Sequence, residues 1–475
     1  MNRSRLGQLS IELLLFSGMS LILVTGFVLW TQSILNLSLR NVNKADAFSI
    51  AEAGIEYYRW HLAHAPSDYE DGTGHAGPYV HDYYNKNGML VGTFTLDITP
   101  PLLGSTVVTV KSTGATVADT SVQKAVKSKF GIASVAKYAI AANDNMRFGT
   151  GTEIFGEVIS NGGIRFDAIA HNIVKSAQVT YIDPDHASSS EFGVHTHEVP
   201  VDPLPPAAVP NRPNVFLAGR QFPVPAIDFT GLTQNLSNIK AEALIGGVYA
   251  TGSAALGYDL QLNASGTYTL YRVTALVAPP AGCSNTQNQV GWGTWSIQSE
   301  VVSSTGPMPA NGIFFIEDNL WVRGKIDGKR LTIASARFPG NPTSTRTNIT
   351  VNNDLTYTNY NGTDVIGLIA QNNVNVGLVS NDDLRIDAAL IAQNGRIGRY
   401  YYQSGGTHCG ANAIRQKITP YGSIMTNLRY GFAYTNGTGY QIRNIIYDTN
   451  LLYSPPPSFP FATSQYSQIF WDEIK

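Results

Sequence analysis

The sequence predicts a mainly β protein with one long N-terminal α-helix, a small antiparallel sheet and a right-handed parallel β-helix, also called a β-solenoid. Three observations lead to this fold class. A long proline-free run opens the chain, short alternating strands follow it, and similar units with Asn or Asp turns recur later. Helical periodicity, strand alternation and recurrence beyond hairpin spacing are typical of these three elements in turn.

The composition is typical of extracellular β-structure. Charged residues make up 14% of the 475 residues, against roughly 25% in ordinary soluble proteins. Glycine (45 residues) and tyrosine (24 residues) are abundant. The formal net charge of −2 predicts no binding of nucleic acid. A chain of this length accommodates two or three domains.

The first 65 residues predict one continuous helix. An apolar run extends from Leu13 to Leu35, no proline lies between Gln8 and Ala65, and Pro66 ends the helical pattern. At 1.5 Å per residue such a helix is roughly 85 Å long. Its second half carries a face of apolar residues three or four positions apart, which predicts burial against a globular domain: Phe48, Ala51, Ile55, Tyr58 and Leu62.

The start of the chain has the order of a processed leader. Gly7 comes before the apolar run, whereas a secretory signal peptide carries its small cleavage-site residue after the run. Cleavage at Gly7 would therefore keep the apolar helix in the mature protein. Glu12 lies at the mouth of this helix, where an unpaired carboxylate in a bilayer costs about 2.5–3.5 kcal/mol. A partner for Glu12 is therefore expected.

These residues resemble the class III signal of type IV prepilins. The resemblance implies that a prepilin peptidase cuts between Gly7 and Gln8 and that Glu12 is the acidic residue at the fifth mature position. Gln8 stands where that family usually has Phe or Met. In a filament, Glu12 of one subunit would pair with the new α-amino group of a neighbour and neutralise both charges. The alternative is an ordinary N-terminal membrane anchor with Glu12 at the interface.

A second segment agrees with the leader. The residues from Ala51 to Glu56 resemble the Ala-Glu-Ala-Gly segment of minor pilins of the PilX type. The stretches 93–98, 107–112 and 121–130 predict strands. A helix followed by a short meander is the pilin layout, in which a pilin-like antiparallel sheet covers the amphipathic half of the helix.

Repeated units farther along predict the solenoid. Each unit is an apolar residue, a polar turn with Asn or Asp, and an apolar-x-apolar strand. We aligned the units on Asn319, Asn353, Asn372 and Asn394. Such coils bury their apolar faces only by stacking. The alternative is an antiparallel sandwich, because Asn-Gly pairs also mark hairpins.

The predicted segments, in chain order, are a prepilin leader (1–7), a transmembrane or filament-core helix (8–35), an amphipathic helix with a pilin-like meander (36–136), first solenoid coils (137–181), an insertion with loop, helix and strands (182–308), the main solenoid (309–420) and an aromatic C-terminal cap over the open end of the solenoid (421–475).

The sequence offers few residues for chemistry. His195 and His197 alternate on an extended segment, so both face one side, and they are weak metal candidates that we expect to be solvated histidines. Cys283 and Cys409 are candidates for a disulfide, and two separate thiols are equally compatible with the sequence. We expect no catalytic residues, no cofactor and no enzymatic activity.

The resemblance implies a minor or tip subunit of a type IV pilus or related filament, or a surface adhesin, in the cell membrane with an extracellular domain. Its expected partners are prepilin peptidase, other pilin subunits, the inner-membrane assembly machinery and a surface polysaccharide or host-cell ligand. The alternatives are a membrane-anchored β-helix enzyme acting on polysaccharide and a passive cell-surface scaffold.

Overall fold

The computed structural model describes residues 3–186, 189–229, 235–340, 342–405 and 408–474, without the side chains of residues 3–8 and Asn235. The chain divides into two compact units. Unit 1 consists of Met1–Pro101, Val107–Gly131 and Gln465–Lys475, and unit 2 consists of Leu102–Thr106 and Ile132–Ser464.

Unit 1 is built on one uninterrupted helix, α1 (Arg3–His64). The predicted single long helix is therefore confirmed, and it ends two residues before Pro66. The helix packs on strands β1 (Tyr79–Tyr84), β2 (Leu90–Thr99), β3 (Val108–Thr116) and β4 (Gln123–Gly131), which form an antiparallel meander. The sequence predicted β2, β3 and β4 and missed β1.

The second half of α1 buries the face that its periodicity predicts. Ala51, Ile55, Tyr58 and Leu62 are at most 2% exposed. They pack against apolar residues of the sheet, namely Phe94, Leu96, Val108, Val110, Val126 and Phe130. A side chain of Leu or Phe size contributes about 1.5–3 kcal/mol when it is fully buried. This core therefore holds the sheet on the helix.

The C-terminal strand (Ser467–Ile474) differs from its predicted role. It pairs antiparallel with β4, with Ser467 opposite Gly131 and Ile474 opposite Ala125. The aromatic residues expected to cap the open end of a solenoid, Phe470 and Trp471, thus belong to the five-stranded sheet of unit 1. The physical reason is that β4 otherwise presents a free edge of backbone amides and carbonyls, which another strand satisfies.

Unit 2 is dominated by short strands, with one described α-helix, α2 (Asn235–Gly246). Its strands are β5 (Ile140–Ala142), β6 (Met146–Phe148), β7 (Thr152–Phe155), β8 (Val158–Ser160), β9 (Ile164–Phe166), β10 (Ile169–Ala170), β11 (Val174–Ser176), β12 (Thr180–Ile182), β13 (Ser190–Phe192), β14 (Val194–His195), β15 (Arg220–Gln221), β16 (Val248–Ala250), β17 (Tyr258–Asn263), β18 (Thr267–Leu276), β19 (Ile297–Pro307), β20 (Ile313–Ile316), β21 (Leu320–Ile326), β22 (Arg330–Ser335), β23 (Ile349–Thr350), β24 (Leu355–Tyr357), β25 (Val365–Ala370), β26 (Val374–Val376), β27 (Asp383–Ala392), β28 (Ile397–Arg399), β29 (Ile414–Thr426) and β30 (Gly439–Tyr447).

Most of these strands pair in parallel and form stacked ladders. The longest ladder runs in the spatial order β16, β20, β22, β25, β27, β29, β5, β8, β11 and β15. A second ladder joins β21, β24, β27, β29, β30, β7 and β10. Shorter parallel ladders join β21, β23, β26 and β28, and β6, β9 and β14.

The ladder order differs from the chain order. The chain enters the longest ladder in its middle, because Ile140 of β5 lies opposite Ile424 of β29. From β5 the chain adds β8, β11 and β15 toward one end of the ladder. It then passes to the opposite end, which begins with β16. An aliphatic and aromatic column runs through both parts, and every member is at most 1% exposed: Phe314, Ile333, Leu368, Leu390, Ile424, Ile140, Val158 and Val174.

The predicted insertion contains strands that pair antiparallel. β17, β18 and β19 form a meander, and β17 also pairs in parallel with β21. α2 covers the outside of the ladder through Leu236, Ile239 and Ala243, which pack with Phe315. The helix that the sequence predicts within the 182–308 insertion is thus found at Asn235–Gly246, and residues 230–234 lie outside the described part of the chain.

Asparagine side chains form a second stack at one corner. Asn348 donates to Asn319 Oδ1 (3.1 Å), and Asn372 donates to Asn348 Oδ1 (3.0 Å). The stack continues in the same way from Asn427 to Asn143 and Asn161. Our alignment of the units was wrong at one position, because Asn353 lies at a different corner and contacts Asn381.

Replacing Asn348 by Ala is expected to lower the stability of unit 2 by about 2–3 kcal/mol. The buried amide donates to Asn319 and accepts from Asn372 and the backbone of Asn373, and unsatisfied buried groups cost about 1–3 kcal/mol each. The matched control is Asn353→Ala, which removes one exposed contact. Urea denaturation of both full-length variants measures the difference. Equal midpoints would contradict the corner assignment.

Candidate functional site

The first half of α1 is an exposed apolar surface. An 18-residue window of the helix over Leu9–His64 reaches a mean hydropathy of 2.2, and no residue of that window is buried in the described structure. The helix is therefore long and apolar enough to cross a membrane. Large side chains from Leu9 to Leu39 are roughly half to three-quarters exposed.

Glu12 is the one charged residue between Gln8 and Leu39 in the sequence. It lies on the exposed surface of α1. Gly7 and Gln8 belong to the helical backbone, but their side chains lie outside the described residues. This surface combines exposed apolar side chains with a single carboxylate, which would be costly in a bilayer unless it had a partner.

Unit 2 contains a cleft of about 1190 Å³. Its walls are polar and aromatic, with Arg147, Gln289, Arg396, Tyr401, Arg429 and Tyr434 among the lining residues. The rings of Tyr401 and Tyr434 meet edge to face with centroids 5.0 Å apart. Tyr400 and Tyr402 are each 1% exposed, so their rings offer no open face on which a sugar could stack. Their rings therefore serve packing more than an open binding face.

The carboxylates of this cleft are engaged as structural acceptors. Asp144 accepts from the backbone amides of Asn145 (2.7 Å) and Arg429 (3.2 Å). Asp185 pairs with Arg429 (2.5 Å) and Arg147 (3.5 Å). Burial opposes ionisation of Asp185, but the two arginines outweigh it and lower the pKa of this carboxyl. A general acid for glycoside cleavage needs the opposite shift.

A histidine–carboxylate cluster lies beside this cleft. The hairpin of β12 and β13 places Tyr181 opposite Glu191, and β14 follows directly. His195 is fully buried, and burial lowers its pKa. Its Nε2 lies 3.6 Å from Asp183 Oδ2, and His197 Nε2 lies 3.6 Å from Glu191 Oε1. The two imidazole centroids are 5.2 Å apart.

The expectation that these two histidines are solvated does not fit this geometry. Thr196 Oγ1 and the His197 amide both bond to Asp167, which draws the segment inward. Asp183, Asp185 and His186 lie near the two histidines in the sequence. In the structure Asp183 lies beside the histidines, whereas Asp185 pairs with arginines. Glu191 also belongs to the cluster. Only the pairing of β12 with β13 could reveal Glu191.

Cys283 and Cys409 form a disulfide across 126 residues of chain, with a Cα–Cα distance of 4.5 Å. The bond is buried among aromatic residues, including Tyr400, Tyr402 and Trp292. It connects the loop after β18 to the loop before β29. A cross-link that closes so long a loop removes conformational freedom from the unfolded chain.

The chain was compared with protein-family models, curated proteins and solved structures. No protein-family model matches the chain, and no curated protein matches it. Among solved structures, the chain is similar to a competence-associated pilin. That protein is ComZ from Thermus thermophilus, whose crystal structure aligns with 91% of this chain and 98% of its own at 13% sequence identity and a TM-score of 0.33.

Proposed function

We propose that the protein is a type IV pilin-like subunit, assembled into a pilus or related filament as a minor or tip component. The observation that carries the proposal is the division of α1. Its first half is apolar and exposed with a lone Glu12, and its second half is buried under an antiparallel sheet. A subunit that stores its apolar half in a bilayer and moves it into a helical bundle needs this division.

We further infer that unit 2 is a parallel β-helix exposed for attachment. The parallel ladders, the buried aliphatic column and the asparagine stack support this reading over an antiparallel sandwich. In sequence it is inserted between β4 and the C-terminal strand. So large an insertion favours a minor or tip role, because a bulky domain on every subunit would crowd a filament.

The buried disulfide supports export to an oxidising compartment. The proposed location is the cell membrane with unit 2 outside the cell. The proposed partners are prepilin peptidase, other pilin subunits, the assembly machinery of the inner membrane and a surface polysaccharide or host-cell ligand. We propose no enzymatic role, and the engaged carboxylates of the cleft support a binding surface over a hydrolase.

The test is the mature N-terminus. In cells with prepilin peptidase, mass spectrometry is expected to find a chain that begins at Gln8, and in a peptidase deletion strain one that begins at Met1. Gly7→Leu should block cleavage because the class III signal that the leader resembles is cut after a Gly at that position. Gly18→Ala is the matched control, since no atom lies within 4 Å of its added Cβ.

A chain that keeps Met1 in the presence of the peptidase would overturn the pilin proposal and favour a plain membrane anchor. The same two strains distinguish a passive scaffold from a filament subunit. Its display on the surface would be unchanged in the deletion strain, whereas a filament subunit would be lost from the sheared surface fraction.

A further inference from the structure

The histidine–carboxylate cluster contains buried polar atoms that lack partners. Within the part of the chain that the structure describes, neither ring nitrogen of His195 has a hydrogen-bond partner, and the same holds for His197 Nε2 and Asp183 Oδ2. His195 is 0% exposed and Asp183 is 2% exposed. A buried polar group without a partner costs about 1–3 kcal/mol. Four such atoms in one place therefore indicate a missing ligand.

The spacing of these atoms fits a metal ion. One atom each from Asp183, His195 and His197 lie within 4.8 Å of one another, and His186, Glu191 and His197 form a second such group. Two ligands at 2.0–2.1 Å in a tetrahedral site are about 3.4 Å apart. The His195–Asp183 and His197–Glu191 distances of 3.6 Å are close to that value and too long for hydrogen bonds.

The charges of the surroundings also fit a cation. Arg165 approaches Asp183 Oδ2 at 3.5 Å, but its Nε is bonded to Asp167 Oδ2 at 2.7 Å. Asp167 therefore offsets most of the positive charge of Arg165. The carboxylates of Asp183 and Glu191 are the nearest acidic groups to an ion between the histidines. The imidazole Nδ1–H of His186 donates to Glu191 Oε1 at 2.9 Å and orients this carboxylate.

We propose that Asp183, His195 and His197 bind Zn²⁺, and that Glu191, 3.6 Å from His197 Nε2, supplies the second carboxylate beside the ion. Two imidazoles and two carboxylates are a mixed N/O set that suits zinc better than the all-oxygen sites of Ca²⁺ or Mg²⁺. The ion joins β14 to the β12–β13 hairpin, which forms its own two-stranded sheet. Because an isolated two-stranded hairpin is marginally stable, the metal fixes it to the body of unit 2.

The proposal predicts about one zinc per chain. The full-length protein, purified in detergent without a histidine tag, would be analysed for zinc by inductively coupled plasma mass spectrometry before and after EDTA. His197→Gln should lower the zinc content at least tenfold. The matched control is His171→Gln, because His171 pairs with Glu153 outside the cluster. Hydrogen exchange of residues 180–195 should become faster after EDTA and recover when Zn²⁺ is added.

Replacing the fully buried His195 could prevent folding, so Glu191→Gln supplies a second variant. It keeps the size of the side chain and should weaken zinc binding about 10- to 100-fold. Far-UV circular dichroism and an intact Cys283–Cys409 bond show that each variant is folded. Wild-type protein that holds no zinc after dialysis against equimolar Zn²⁺, or whose exchange is unaffected by EDTA, would overturn the proposal. Replacement by Ca²⁺ at equal concentration would overturn the assignment to zinc.

Discussion

Replacing Glu12 by Ala is expected to reduce incorporation of the subunit into filaments by about 100-fold. In the proposed assembly the α-amino group of one subunit, freed by cleavage before Gln8, pairs with Glu12 of its neighbour inside an apolar bundle. Removal of one partner leaves the other charge buried and uncompensated, which costs about 3–5 kcal/mol. Insertion into the membrane should be unaffected or improved, because a carboxylate in the bilayer is itself unfavourable.

The measurement is the ratio of subunit in the sheared filament fraction to subunit in the membrane fraction. Glu56→Ala is the control on the same helix, since Glu56 is exposed and its ion pair with Arg59 (2.5 Å) contributes little. Glu12→Asp should retain part of the incorporation because it keeps the charge. If Glu12→Ala were incorporated like the wild type, Glu12 would have no role in contact between subunits.

Local pattern was sufficient for α1 and for strands β2, β3 and β4 of unit 1. The absence of proline predicted the single helix, and apolar spacing predicted the buried face of Ala51, Ile55, Tyr58 and Leu62. The C-terminal strand escaped prediction for a physical reason. Its partner β4 is more than 330 residues away, and the strand is mostly exposed, so its own alternation carries little information about the face it covers.

The order of strands in the ladders of unit 2 could not be derived from the repeats. Each repeat predicts its own strands, but the pairing of Ile140 with Ile424 depends on two segments far apart in the sequence. The misplaced Asn353 has a related cause. Asn348 and Asn353 both flank the short strand β23, and the same motif of apolar and polar residues fits either corner. Their side-chain bonds distinguish them, since Asn348 bonds to Asn319 and Asn372, whereas Asn353 bonds to Asn381.

The metal candidate was half visible in the sequence. The alternation of His195 and His197 predicted that both face one side, and the structure places their rings 5.2 Å apart although β14 ends at His195. Their burial was not visible, because the surrounding loop is polar and rich in proline. The bonds from residues 196 and 197 to Asp167, which lies 30 positions earlier, draw the histidines inward. A polar composition predicts that a loop is exposed to solvent. This prediction fails where a hydrogen-bond acceptor far away in the sequence holds the loop in the interior.

Replacing Gly114 by Val is expected to destabilise the packing of α1 on the sheet by about 3 kcal/mol or more. A Cβ at this position would lie 2.1 Å from the carbonyl oxygen of Ala47 and 2.5 Å from the amide nitrogen of Ala51. Both are backbone atoms of the helix, so no side-chain rotation relieves the overlap and the helix must move away. The same close approach explains Gly54, whose added Cβ would meet Ser112 Oγ at 2.3 Å.

Hydrogen exchange of β3 in the full-length protein measures the effect, and 3 kcal/mol corresponds to roughly 100-fold faster exchange of its most protected amides. Thr113→Val is the matched control, because Thr113 adjoins Gly114 on the opposite, partly exposed face of β3. Loss of protection in both variants would indicate a general weakness of the strand. Unchanged protection in Gly114→Val would mean that the helix does not approach β3 this closely. Close contact between the helix and sheet backbones would then no longer explain the small residues of the Ala-Glu-Ala-Gly segment.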